Sequence, residues 1–383
     1  MPLQQVTYND ISQPLAIAPG AVENYMSAQG SSFGFRNRII NGAMVFDQRN
    51  AGCSVSNPNS YIIDRWLVET SNSSTTAQQV TDAPPGFTKS LKFVTTTGTS
   101  IVSGSYCDVT QKIEGYNVAD FGFGTSSAST FTVSFWVKSS ITGVFGITLR
   151  MENGPPYAGY FTTYTINNSN TWQYVTITVP GNSATAFGST TNGIALSLNF
   201  MLGAGSTYTA STANTWGAYG VTGYGQLSSA TGSNAVFTTT GATWQVTGVQ
   251  LERGSTASAF EYRDIGRELQ MCQRYFEMSF SQGTAPANAI GNPWYSGATP
   301  NIVYSQNILF TAVKRAGPTI TFYRGTGHTT NGQWAYYNGS AWVTASTSTG
   351  AITTQSFSVG ISSNIGTQYG YVVEGNWTAS AEL

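Results

Sequence analysis

A chain of 383 residues exceeds the roughly 250–300 residues at which a single hydrophobic core stops growing, so two or three domains are expected. Apolar residues at 40% and aromatic residues at 13% support packed cores and exclude a disordered chain. Charged residues at 9% and a formal net charge of -1 exclude the basic surface that nucleic acid or an anionic membrane would need. Between Glu152 and Glu252 there is no Asp, Glu, Lys, Arg or His, so that interval supplies neither acid–base groups nor the usual metal ligands.

Low charge also removes the repulsion that keeps proteins apart, which points to self-association. Cys53, Cys107 and Cys272 are far apart with no CxxC pair, and His328 is the single histidine. They are expected as free, mostly buried thiols of a protein that folds in a reducing cytoplasm. No basic-then-apolar leader opens the chain and no run of about 18 apolar residues occurs, so neither general secretion nor membrane insertion is expected.

Residues 1–36 are polar and punctuated by Pro2, Pro14, Pro19 and Gly20, which suggests an extended arm ordered by a partner. Short β-type runs follow at 38–40, 61–68, 90–94, 130–138, 146–150, 174–179, 194–200 and 242–251. Several alternate apolar and polar residues with period two between Gly, Asn, Ser and Pro breaks. Many strands without intervening helices predict an antiparallel β-sandwich over 37–263. One helix is predicted over 264–277, with Asp264 as its N-cap and Ile265, Leu269, Cys272 and Phe276 at helical spacing. The charges crowded there, from Glu261 to Glu277, suggest a solvated helix or a salt-bridge belt between subunits.

Beyond the helix, residues 278–383 return to strands, at 302–304, 308–313, 319–323, 355–361 and 370–377. Between them Asn338-Gly339 joins Trp334–Tyr337 to Ser340–Val343, the pattern of a hairpin with a two-residue turn. The fold class is therefore all-β: an antiparallel sandwich plus a smaller C-terminal β domain, joined by one short helix.

No GxGxxG follows a strand, and neither GxxxxGK[ST] nor GxSxG is present. Asp47, Asp64, Glu69, Asp82, Asp108, Glu114, Asp120 and Glu152 include enough carboxyls for a glycosidase pair, but nothing singles one out. Asp64-Arg65 is read as an internal ion pair beside a buried Trp66, and Lys112 and Glu114 as the wet face of a strand. Aromatic residues are the better candidates, because a sugar ring stacks on Trp or Tyr while neighbouring amides and hydroxyls bond its hydroxyl groups. The candidates are Trp216, Tyr219 and Tyr224 in a Gly-rich loop, and Trp294, Tyr295, Trp334, Tyr336, Tyr337 and Trp342 in the C-terminal region. Core or interface packing is the competing role for all of them. Trp66, Phe135, Trp136, Trp172 and Trp244 sit in or beside strands and are read as structural.

Arg38–Gly52, Tyr61–Trp66, Thr132–Lys138, Val246–Gly254, Ala259–Arg263 and Glu268–Tyr275 resemble, in order, successive landmarks of a family of bacteriophage tail fibre and virion structural proteins. In that family the central region is a carbohydrate-binding-module-like jelly roll. The ending Trp377–Leu383 is similar to the ends of several phage fibre proteins. The resemblance implies a virion protein, a homotrimer whose arm (1–36) docks on other virion proteins and whose distal β domain faces the host. It carries over no ligand, so host-surface glycan is expected from the aromatic clusters and a non-enzymatic role from the missing catalytic sets. Its location would be the tail or baseplate, or alternatively the capsid surface as a decoration protein. A depolymerising tailspike is the enzymatic alternative. The resemblance also leaves room for a structural calcium, for which no ligands are assigned.

Overall fold

The computed structural model describes residues 35–151, 158–210, 213–218, 228–229, 235–287, 292–299, 302–305, 307–324, 332–337, 340–362 and 371–383. The chain divides into two compact units, Met1–Arg36 and Asn37–Leu383. Almost all of the arm lies outside the described residues. Among the described residues no helix is long and apolar enough to cross a membrane.

The second unit is an antiparallel jelly-roll sandwich followed by a further β lobe. One sheet has six strands in the order Val55–Ser56, Thr75–Val80, Ser90–Thr95, Thr243–Arg253, Phe131–Ser139 and Gln173–Val179. The other has seven, in the order Trp216–Ala218, Ala158–Ile166, Gly143–Met151, Ile194–Ala204, Tyr106–Glu114, Trp66–Thr70 and Ser60–Ile63. Period-two alternation sends Phe131, Val133, Phe135 and Val137 inward, where they meet Val109, Leu149, Leu198 and Phe200 of the facing sheet. The Phe200 ring centroid lies 4.9 Å from that of Phe135 and 5.3 Å from that of Trp244, and burying a ring of this size contributes about 2 kcal/mol.

Two expected strands differ. Residues 38–40 form no strand: Arg38 N donates to the Leu251 carbonyl at 2.8 Å, but Ile39 N and Ile40 N donate to the side chains of Asn37 and Gln111 at 2.9 and 2.8 Å. The run 61–68 is a hairpin rather than one strand, turning at Asp64-Arg65 where Arg65 takes φ 71°. The Asn41 side chain holds that turn by donating to the Asp64 carbonyl at 3.0 Å.

In the last lobe a nine-stranded sheet curls until Gln333–Tyr337 pairs with Tyr371–Ser380, closing it on itself around Phe322, Trp334, Phe357 and Trp377. The Gln333–Tyr337 strand pairs with Trp342–Ile352, Tyr337 standing opposite Trp342. The turn residues Asn338 and Gly339 themselves lie outside the described residues.

The helix runs over Ile265–Gln273, and the Asp264 carboxylate accepts from Gly266 N at 3.0 Å and Arg267 N at 3.3 Å. Its buried face is Glu268, Cys272 and Gln273, whereas Ile265 is 62% exposed. Most of the charges expected to be solvated are turned inward within the chain. Arg263 pairs with Glu268 at 3.0 Å and also donates to the Ile39 carbonyl at 3.0 Å. Arg274 clasps Glu114 at 3.0 and 2.5 Å, and the Tyr275 hydroxyl donates to the same carboxylate at 2.6 Å. Lys314 pairs with Glu277, and Glu382 sits between Arg49 and Arg65.

Two sequence readings change as a result. Glu114 is 1% exposed rather than on a wet face. Asp64 and Arg65 do not pair with each other: Arg65 reaches Glu382 while Asp64 accepts from Gln48 Nε2 at 2.8 Å. Cys107 and Cys272 are buried free thiols and Cys53 is an exposed one.

Further buried hydrogen bonds hold this joint between helix and sandwich. Asn37 donates to the Val249 carbonyl at 3.1 Å and accepts from Leu251 N at 3.1 Å, while its own N–H reaches Glu261 at 2.6 Å. Trp66 Nε1 donates to the Asn41 carbonyl at 3.1 Å. Such mutually satisfied buried groups hold one geometry, since leaving any of them unpaired costs about 1–3 kcal/mol.

Candidate functional site

Two adjacent strands of the six-stranded sheet place Trp136 and Tyr174 directly opposite one another on the face turned away from the sandwich core. Their ring centroids are 5.3 Å apart, and Tyr174 is 43% exposed. On the other flank of Phe131–Ser139, the strand Thr243–Arg253 bulges between Thr247 and Gln250. Gly248 in that bulge takes φ 62°, and a methyl group there would come within 2.6 Å of the Phe87 ring and 3.1 Å of Trp136. Phe87 therefore packs over bare backbone beside Trp136.

Phe260 and Tyr262 complete the wall, with centroids 5.1 and 5.6 Å from Phe87. The loop that carries them is fixed from below. Glu252 accepts from Ser258 N at 2.8 Å and Ser258 Oγ at 2.5 Å, and Gln250 Oε1 accepts from Glu261 N at 2.8 Å. The Tyr262 hydroxyl donates to the Gly86 carbonyl at 2.7 Å, tying this wall to the loop before Phe87.

The result is a cleft of about 450 Å³ lined by these five aromatic residues with Ser134, Gly248, Ala257, Ser258 and Ala259. A second hollow of about 220 Å³ shares Phe87, Phe260 and Tyr262 and extends to Ala43, Val45 and Ile265. The larger cleft has no charged side chain in its lining. Aromatic faces beside hydroxyls and backbone in a fixed frame suit the apolar face and the hydroxyls of a neutral sugar.

Next to Trp136 and Tyr174 on the same face lie Lys138 and Trp172. The Lys138 ammonium sits 5.1 Å from the Trp172 ring centroid and pairs with Asp82, to which Trp172 Nε1 donates at 3.2 Å. Burial alone would raise the Asp82 carboxyl, but the Lys138 ammonium and the Trp172 indole outweigh it and hold the group below the usual carboxylate range.

Gly248→Ala is expected to destabilise by about 1–2 kcal/mol, because an L residue is strained at this φ. It should also push Phe87 off the bulge, read as a loss of near-ultraviolet circular dichroism from the aromatic wall. An unchanged melting temperature and spectrum would show that Phe87 is not held by this contact.

Trp136 and Trp172, read from sequence as structural, thus line the outer face, whereas Trp66, Phe135 and Trp244 are fully buried. Several expected contact residues are core instead. Trp334 is 0% exposed and donates to the Asn376 carbonyl at 3.1 Å, and Tyr336 is buried too, because alternation along their strand turns both toward the core inside the closed sheet. Trp216 packs against Phe123 and Tyr160 at 5.4 and 5.6 Å and donates to the Pro180 carbonyl at 2.7 Å, which makes it a sheet-edge prop. Tyr337 and Trp342 do come together, cross-strand at 5.6 Å and 40% and 39% exposed.

Trp294 pairs with Val373 and Tyr295 with Val372 along the backbone, their side chains lying outside what is described. Tyr219 and Tyr224 also lie outside the described residues. Phe87, Phe260 and Tyr262 were not singled out as contacts by any sequence pattern. The one available signal was Gly248 interrupting a clean alternation in 242–251. Among the described residues no group of three or more His, Cys, Asp or Glu is placed to hold a metal ion.

Sheet order and trough define the class: an all-β jelly-roll sandwich with an aromatic outer face and an appended β lobe. No protein-family model matches the chain, and no curated protein does. Among solved structures, the enzymatically active domain of tailspike protein 4 of bacteriophage CBA120 is similar at 14% identity and TM-score 0.31, over 57% of this chain and 21% of that one. The family 11 carbohydrate-binding module of cellulosomal cellulase Lic26A-Cel5E of Clostridium thermocellum is similar at 12% identity and TM-score 0.27, over 54% of this chain and 98% of the module. TmCBM61, in complex with β-1,4-galactotriose, is similar at 12% identity and TM-score 0.28, over 57% of this chain and 99% of the module. Overlaps this low say nothing of what this chain binds.

Proposed function

We propose that the protein is a non-enzymatic attachment protein of a bacteriophage particle, a short tail fibre or receptor-binding protein that contacts a neutral host-surface glycan. The observation that carries the glycan part is the uncharged trough of Phe87, Trp136, Tyr174, Phe260 and Tyr262. Its wall is held by the backbone bulge and by hydrogen bonds of the loop 258–262 before any ligand arrives, so less ordering cost is left for binding. The ordered set of virion-family landmarks supports the phage part. On this proposal the protein acts as a homotrimer mounted through residues 1–36.

Binding of the whole protein to an array of neutral bacterial polysaccharides tests the glycan part. Trp136→Ala should weaken the strongest signal by on the order of tenfold or more, as loss of a central aromatic contact does. Equal binding by the variant would remove the trough from the proposal. Cryo-electron microscopy of intact particles tests the phage part, since density on the head surface instead of the tail would make the chain a capsid decoration protein.

A further inference from the structure

The aromatic surface does not end at the trough. Trp136 pairs with Tyr174 across neighbouring strands, and Lys138, two residues further along the same strand and so on the same face, meets Trp172, two residues before Tyr174. Two successive same-face pairs on adjoining strands stand about 7 Å apart. Both pairs therefore fall within the length of two or three linked sugar rings in an extended chain.

The second pair is also built to present its ring. The edge of the Trp172 indole is anchored by its N–H bond to Asp82 at 3.2 Å, and Lys138 occupies a position over the ring at 5.1 Å. Asp82 in turn pairs with Lys138, and its side chain remains 50% exposed. A carboxylate offers about four acceptor positions, so with Lys138, Trp172 and Gln245 already bonded to it Asp82 keeps room for a sugar hydroxyl. With the ammonium matched by the carboxylate, this pair adds polar contacts without adding net charge.

We propose that Trp172, Lys138 and Asp82 form a second subsite, so that the ligand is a run of linked sugar rings lying along the sheet face rather than a single terminal sugar. This rests on the glycan-binding function proposed above. Trp136 with Tyr174 holds one ring, and Trp172 with the Lys138–Asp82 pair holds the next.

The test is calorimetric titration of the whole protein with neutral gluco-, galacto-, manno- and xylo-oligosaccharides from monosaccharide to hexasaccharide. The affinity of wild type for its preferred series should rise by on the order of tenfold once the chain spans both pairs. Trp172→Ala should erase that rise while leaving the monosaccharide affinity unchanged, and Trp172→Phe, which keeps a ring, should retain most of it. Melting temperatures of both variants, at the half-buried Trp172, separate loss of binding from loss of fold. A length dependence that survives Trp172→Ala, or wild-type affinity that does not depend on length, overturns the second subsite while the trough stands. No binding by wild type to any series overturns the glycan proposal and this one with it.

Discussion

Glu114→Ala should lower the stability of the protein by about 3 kcal/mol, read as a fall in the denaturant midpoint at unchanged slope. Glu114 is 1% exposed and receives Arg274 through two nitrogens and the Tyr275 hydroxyl at 2.6 Å. Its carboxylate is what holds the Arg274 guanidinium above its ordinary pKa, more than offsetting burial. Removing it leaves a cation and a buried hydroxyl without their acceptor. Losing one partner of a buried pair costs about 3–5 kcal/mol, and the lower end applies because the Arg274 side chain is 31% exposed and partly rehydrates. Glu114→Gln keeps an acceptor and should lose about half as much. A midpoint shift below about 0.5 kcal/mol for the alanine variant would mean that this contact does not fasten the helix end to the sandwich.

Asp64→Asn should behave in the opposite sense at neutral pH. Burial pushes the Asp64 carboxyl up to about 6, against the opposing pull of Arg49 and the Gln48 hydrogen bond. A raised carboxyl pKa means that the folded state keeps a proton the unfolded chain has already lost. Stability therefore falls as pH rises from about 4 to about 6, and the whole cost is present above that window. The amide cannot ionise, so its stability relative to wild type should rise by on the order of 3 kcal/mol between about pH 4 and pH 7. The comparison across pH is the decisive measurement, because any packing cost of the amide is the same at both ends. Parallel stability curves for the two proteins would show that Asp64 does not titrate in the folded state as described.

How much of this was legible in the sequence follows from the range of the forces involved. Period-two alternation in Phe131–Ser139 and Thr243–Arg253 and the Asp264 cap depend on neighbours a few residues away, and the structure has these elements within a residue or two of where the sequence put them. The pattern did not reveal the turn at Asp64-Arg65, since nothing local marks a non-glycine residue for positive φ. There the deciding contact comes from Asn41. In the C-terminal lobe, Trp334, Tyr336, Tyr337 and Trp342 look alike as an aromatic cluster. Closure of the sheet sorts them, with Trp334 and Tyr336 on its inner face and Tyr337 opposite Trp342 on the outer one.

The trough shows the same division. Composition raises the expectation of a binding or structural chain, because a long interval without Asp, Glu, Lys, Arg or His leaves hydrogen bonding and stacking as its chemistry. Alternation also states that Phe135 and Trp136 face opposite ways, but not which of them meets the core. That was decided by the second sheet, which covers Phe135 and leaves Trp136 outside beside Tyr174. Likewise the charges near the helix were visible as a cluster, while their pairing with Glu114 and Asn41 spans more than a hundred residues of chain. Sequence by itself determined the β class, the strand faces up to a choice of side, and the helix start, all set by short-range backbone and burial periodicity. Tertiary structure alone decided which aromatic residues stand together in the open and which charges lock the joint, because both depend on contacts between segments distant in the chain.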